Sequence, residues 1–188
     1  MPVLLDVERP RPGLRELLPL VDFVISSTDF PRKLAAELSK EGALTTMELA
    51  RLEEAEAEGL AAFLLRHCAS ARWVCVTLGS LGALALERPT GPAHADGAAN
   101  TGGVTRVPAW PLPADGAGAV RDTTGAGDAF IGATAAALRL GLPLADTLRL
   151  ASYVAAANCG GDGARGGMPR LAELPAELRA LLEAPLLS

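Results

Sequence analysis

The residues with the clearest chemical potential lie in Arg121-Asp-Thr-Thr-Gly-Ala-Gly-Asp-Ala-Phe130. This glycine-rich turn delivers Asp128 to the start of Ala129 to Leu140, a run rich in alanine and leucine, free of proline, with only Gly132 as a weak helix former. The run predicts a helix, with Gly125, Ala126 and Gly127 at its N-terminus. A helix start leaves backbone N–H groups without intrahelical partners and carries a partial positive charge, so these amides can face an anion. Small side chains let a phosphate approach closely. A carboxylate held beside such an anion hole can accept the proton of an alcohol attacking the bound phosphorus, which makes Asp128 a candidate base for phosphoryl transfer. For an isolated Gly-x-Gly-Asp, the competing reading is an acidic residue that complements the helix dipole and glycines that form an ordinary loop. A Walker loop is excluded, because no Gly-Lys-Ser/Thr follows.

The elements that must position this turn can be read on either side of it. Pro2 to Asp6 is a short apolar run that predicts a strand, followed by the proline-broken Glu8-Arg9-Pro10-Arg11-Pro12. Gly13 to Leu18 predicts a helical turn or two. Val21 to Ser26 predicts a second strand, whose polar end, Ser26-Ser27-Thr28-Asp29, can cap a helix over Pro31 to Ser39. Thr45 to Cys68 is the longest helical pattern, with Leu49, Leu52, Leu60, Phe63 and Leu64 on the face expected to pack on a sheet. His67 reads as a helix-end residue beside the C-terminal dipole, since no metal-spaced partner accompanies it.

Arg72 to Leu78 and Ala83 to Glu87 predict strands joined by the tight turn Gly79-Ser-Leu-Gly82. Gly79 and Gly82 either simply make that turn or leave room for a nucleotide beside the helix start. Pro89 to Gly103 lacks hydrophobic period and reads as a surface loop, and its His94 and Asp96 are weak evidence for a metal. Val104 to Ala109 predicts a further strand, Asp115 to Gly118 a flexible stretch, Leu144 to Cys159 a helix ended by glycines, and Leu174 to Glu183 an amphipathic helix docked on the sheet. The resulting order is that of an α/β protein, in which open sheets place ligands at strand ends.

Composition bounds the function. The 188 residues are the length of one domain, with an apolar fraction of 49% and a net charge of −5 without a basic block, so nothing favours nucleic acid or an anionic membrane as partner. No apolar run approaches the roughly 18 residues of a membrane span, and the opening residues do not resemble a targeting peptide. The three cysteines, Cys68, Cys75 and Cys159, form no CxxC pair; disulfides are not expected, and an intracellular, by default cytoplasmic, location follows, with the organelle open.

The string Asp-Thr-Thr-Gly-Ala-Gly-Asp-Ala-Phe resembles the C-terminal signature of the ribokinase, or PfkB, family of carbohydrate kinases. The resemblance implies a ribokinase-like, Rossmann-type three-layer sandwich with a central, mostly parallel sheet flanked by helices. Residues 1–188 would be the C-terminal, nucleotide-binding portion of a PfkB-type domain, with the N-terminal part, its sugar site and its β lid missing. It further implies ATP and Mg²⁺ as cofactors and a sugar or related small-molecule alcohol as partner, with a homodimer expected where the lid is present. Thr77, Gly79 and Gly82 match the family's Thr-x-Gly-x-x-Gly turn at the ATP site; two helices running out and back bring Asn158 and Cys159 towards the loops around Gly79 and Gly125 as nucleotide-binding candidates, and Cys159 matches a position bordering adenine, its other reading being an inert buried thiol. Asp122 and the Thr124 carbonyl, with the Gly161 to Pro169 loop, match a segment that often holds a monovalent cation such as K⁺, against the equal reading that Asp122 only caps a turn. Arg121 departs from a commonly apolar position. The implied activity is ATP-dependent phosphorylation of a sugar hydroxyl; the alternatives are a nucleoside kinase and a non-catalytic nucleotide-binding or regulatory remnant.

Overall fold

The computed structural model describes residues 1–89, 102–112 and 119–183, and the readings of His94, Asp96 and the stretch 115–118 fall outside them. The chain forms two compact units, one of Met1–Gly79 with Ala83–Arg106 and one of Ser80–Gly82 with Val107–Ser188.

In the first unit, strand β1 (Leu4–Val7), helix α1 (Leu14–Leu17) with a 3-10 turn (Leu18–Leu20), β2 (Phe23–Ser27), α2 (Asp29–Lys40), α3 (Thr46–Glu53), α4 (Ala57–His67), β3 (Trp73–Thr77), β4 (Ala83–Glu87) and β5 (Val104–Val107) follow in order. The five strands lie side by side as β1-β2-β3-β4-β5. β1, β2 and β3 run parallel because helices carry each connection, whereas the short turn after β3 returns β4 antiparallel. Val24, Val74, Val76 and Leu84 form one face of the core with Phe30, Leu34 and Leu38 of α2 and Leu60, Phe63 and Leu64 of α4. The alternate residues Phe23, Ile25, Trp73, Cys75 and Ala85 are also buried, which is why β2 and β3 read as unbroken apolar runs. This mixed, mostly parallel sheet with helices is the α/β class expected from the sequence.

Two expectations for this unit need correction. The pattern from Thr45 to Cys68 is two helices: the chain leaves α3 at Glu54 and is extended at Glu56, with φ −72° and ψ 171°. Arg32 of α2 holds the break by donating to Glu53 O at 3.4 Å and Ala55 O at 3.0 Å, supplying donors to carbonyls a continuous helix would have used. The Ser26 to Asp29 segment does not cap α2 through a side chain; Thr28 already has helical backbone, and its carbonyl accepts from Arg32 at 3.1 Å. His67 ends α4 as expected, with its ring tilted against Phe63, and burial, followed by the Arg66 charge, lowers its pKa from the ordinary value.

In the second unit, α5 (Ala126–Arg139) and α6 (Leu144–Asn158) are joined through Gly141-Leu-Pro143 and pack against each other, and α7 (Ala176–Glu183) follows a 3-10 turn (Leu171–Glu173). Leu174 and Leu178 are buried with Ala137 of α5 and Leu150 of α6, beside Trp110 and Tyr153. α7, expected on the sheet, docks within this unit on the α5–α6 pair, which presents the apolar stripe its leucines match. Among the described residues no helix is long and apolar enough to cross a membrane.

The two glycines after β3 serve different needs. Gly79 has φ 59° with open space where a Cβ would stand, whereas a Cβ on Gly82, φ 96°, would lie 2.1 Å from Val107 O. We expect Gly79→Ala to lower stability by about 1–2 kcal/mol through backbone strain alone. Gly82→Ala should prevent folding or displace the chain at Val107–Ala109, a difference that urea denaturation of the two variants measures.

Candidate functional site

The candidate site is the N-terminal end of α5 and the segments that shape it, all within the second unit. The chain enters along Arg121 and Asp122, whose amides donate to Cys159 O at 2.8 and 3.2 Å. Asp122 then folds back on its own turn: Oδ1 accepts from Thr124 N and Oδ2 from Gly163 N, each at 2.9 Å. Gly125 is the N-cap of α5 in the left-handed conformation, φ 78° and ψ 1°. A Cβ there would stand 2.4 Å from Ala164 O, so both the backbone and the packing demand glycine.

This geometry leaves donors unused. The Ala126 amide is turned to Thr123 O at 3.2 Å, while the amides of Gly125, Gly127 and Asp128 make no hydrogen bond to any described residue. The Asp128 amide was not singled out in the sequence, although its place in the first turn of α5 gives it the same freedom. Gly127 and Asp128 are exposed, and the Asp128 carboxylate makes no ion pair or hydrogen bond with a described residue. The arrangement thus offers bare N–H groups, a helix dipole and a solvent-facing carboxylate in one helical turn, which suits an anion beside a proton acceptor.

Behind the turn stands Asn158, the last residue of α6, with no exposed surface. Its Nδ2 donates to Thr124 O at 3.2 Å and to Ala164 O at 3.1 Å. Cys159 is buried as the C-cap of α6, and desolvation, followed by the Asp122 charge, raises its pKa, so it is a thiol at neutral pH. Burial pushes Cys68 to about 11 and Cys75 to about 12. Arg121 pairs with Asp162 at 3.5 Å in an exposed contact that contributes little.

Thr77 and Gly79 belong to the first unit, where the Thr77 hydroxyl donates to Ser26 O at 3.3 Å. Asp122, Thr124, Gly125, Ala126, Gly127, Asp128, Asn158 and Cys159 are brought together in the second, with Gly82 packed elsewhere in it against Val107. No group of three His, Cys, Asp or Glu side chains able to hold a metal occurs among the described residues. For a monovalent ion the available donors are oxygens: the Asp122 carboxylate and the Thr124 and Ala164 carbonyls, each of which keeps a lone pair beyond the bond it accepts.

The mixed, mostly parallel sheet with its helices places the chain in the α/β class. Within that class the chain belongs to the pfkB family of carbohydrate kinases, whose family model matches residues 1–171. A stretch of 62 residues is 47% identical to the ribokinase of Lactococcus lactis, covering 33% of this chain and 21% of that protein. The fold is similar to that of Arabidopsis thaliana ribokinase complexed with ribose and ATP, at TM-score 0.62 and 23% identity over 97% of this chain and 47% of the other. It is also similar to a Burkholderia thailandensis nucleoside kinase in complex with inosine, at TM-score 0.60 and 20% identity over 96% of this chain and 48% of the other. The chain thus spans less than half the length of these relatives.

Hydrogen bonding by Thr124, through side chain and amide, and by the Gly163 amide holds Asp122 below its ordinary value of 3.8. A depressed folded-state value means that Asp122 contributes stability above its unfolded value, which is lost as pH falls through the folded one. Asp122→Asn should therefore be less stable than the parent at pH 7, and the gap should close as pH falls through the depressed folded-state value. Denaturant titrations of both chains at neutral and acidic pH measure it.

Proposed function

We propose that this chain is the nucleotide-binding portion of an ATP-dependent kinase that phosphorylates a sugar hydroxyl. The observation that carries the reading is the N-terminus of α5, where the Gly125, Gly127 and Asp128 amides and the Asp128 carboxylate have no partner among the described residues and lie within one turn. Phosphoryl transfer asks a protein mainly for positioning and charge neutralisation. The Gly125 to Gly127 segment, extended by the Asp128 amide, binds oxygens of the transferring phosphoryl group, and their fixed dipoles meet the charge that develops there. Asp128 orients the acceptor hydroxyl and takes its proton as the O–P bond forms, while the bond to the leaving phosphate breaks. Mg²⁺, carried by the nucleotide, neutralises phosphate charge when bound.

Thr77, Gly79 and Gly82 are assigned to the nucleotide, as is Cys159 at the adenine. Asp122 and the Thr124 carbonyl are the residues assigned to K⁺, whose chemistry there would be to fix the turn electrostatically. The acceptor is a sugar in the leading reading. The similarity to a nucleoside kinase solved with inosine supports a nucleoside as the second. A regulatory subunit that binds nucleotide without turnover has no use for a proton acceptor at position 128.

Turnover by the parent chain is read as acceptor-dependent ADP formation over a panel of pentoses, hexoses and nucleosides. Asp128→Ala should lower it by about 10²–10⁴-fold while ATP affinity changes by no more than a few-fold. Loss of ATP affinity together with turnover would make Asp128 structural and overturn the assignment.

A further inference from the structure

We propose that Asn158 is the positioning residue of this site: its side-chain amide clamps the signature turn and the 161–167 loop to the end of α6, and so aims the free amides of α5. The proposal rests on the kinase reading for its functional consequence and on the geometry alone for the clamp. It replaces the expectation that Asn158 touches the nucleotide directly.

Asn158 has no exposed surface, and both protons of its Nδ2 are spent, one on Thr124 O and one on Ala164 O. The orientation of the amide follows from its partners, since the flipped form would set Oδ1 against two carbonyl oxygens. Its Oδ1 is buried with no hydrogen-bond partner. A buried unpaired acceptor is costly, and a leucine of similar size would avoid the cost, so the position is explained by what the NH₂ group does.

What it does is join segments remote in sequence. Thr124 immediately precedes Gly125, the left-handed N-cap whose carbonyl starts the α5 ladder by accepting from Ala129 N at 2.9 Å. Ala164 is the backbone against which Gly125 packs. One amide nitrogen therefore holds both sides of the closest contact in the turn. Asp122 secures the same two segments from the opposite end, through Thr124 N and Gly163 N. With Asn158 removed, the Thr124 carbonyl is free to rotate, and Gly125 with it, so the amides of Gly127 and Asp128 lose their common aim.

The test compares the full chain with Asn158→Leu, which keeps volume and removes the donor, and with Asn158→Ala, which relieves any crowding should the leucine chain not fold. Hydrogen exchange is followed at the amides of Thr124, Ala126 and Gly163, and ATP affinity is measured by calorimetry. The proposal expects exchange at these three amides to quicken about tenfold or more, with β2, β3 and the middle of α6 unchanged. It expects ATP affinity to fall by a similar factor. Unchanged exchange at the three amides, or a uniform rise through the second unit, would overturn it, since a residue that merely fills space predicts the latter. If the parent chain binds no ATP, the kinase reading fails, and the exchange arm still decides the clamp.

Discussion

Gly125 lies in the left-handed region with its backbone against Ala164, a contact too close for any side chain, and the site depends on that contact. A helix that begins with an ordinary capping side chain spends one of its free amides on the cap. Here no side chain caps α5; the chain turns through glycine, and the Gly127 and Asp128 amides stay without a partner among the described residues. The neighbouring bonds serve to keep it so. Asp122 fixes the turn before the glycine, the Cys159 carbonyl holds the chain entering it, and Asn158 ties it to the loop behind. Polar groups that a helix would otherwise leave to water are arranged so that only those facing outwards remain available.

The long apolar elements were legible because their signals are local. β2 and β3 are runs of buried residues, and α5 and α6 follow from alanine and leucine between glycine and proline breaks. The signature was legible for a related reason: its glycines and its aspartate each answer a backbone requirement within a few positions. The start of the helical pattern at Thr45 is marked in the structure by a capping box, Thr45-x-x-Glu48, at the head of α3.

What could not be read depends on residues far apart in the chain. The break between α3 and α4 lies within a continuous helical pattern and is held by Arg32 from another helix. The place of α7 depends on which apolar stripe is open, and periodicity alone does not choose between a sheet and a helix pair. Asn158 lies 34 positions from Thr124, so its clamp has no signature of its own, and burial of the whole side chain argues for support rather than direct contact with a ligand. The Asp128 amide could have been found from the helix start alone, since the first-turn amides have no partner within the helix.

Family membership rests on the match over residues 1–171, and the proposed phosphate site on the geometry of a single helix start. The central claim is that this helix start receives the phosphates. The most direct measurement is a titration of the ¹⁵N-labelled chain with ATP, followed through its amide resonances. The account predicts that the amides of Gly125, Gly127 and Asp128 shift first and furthest, with one shared saturation curve. Saturable binding that leaves those three amides unmoved would contradict it.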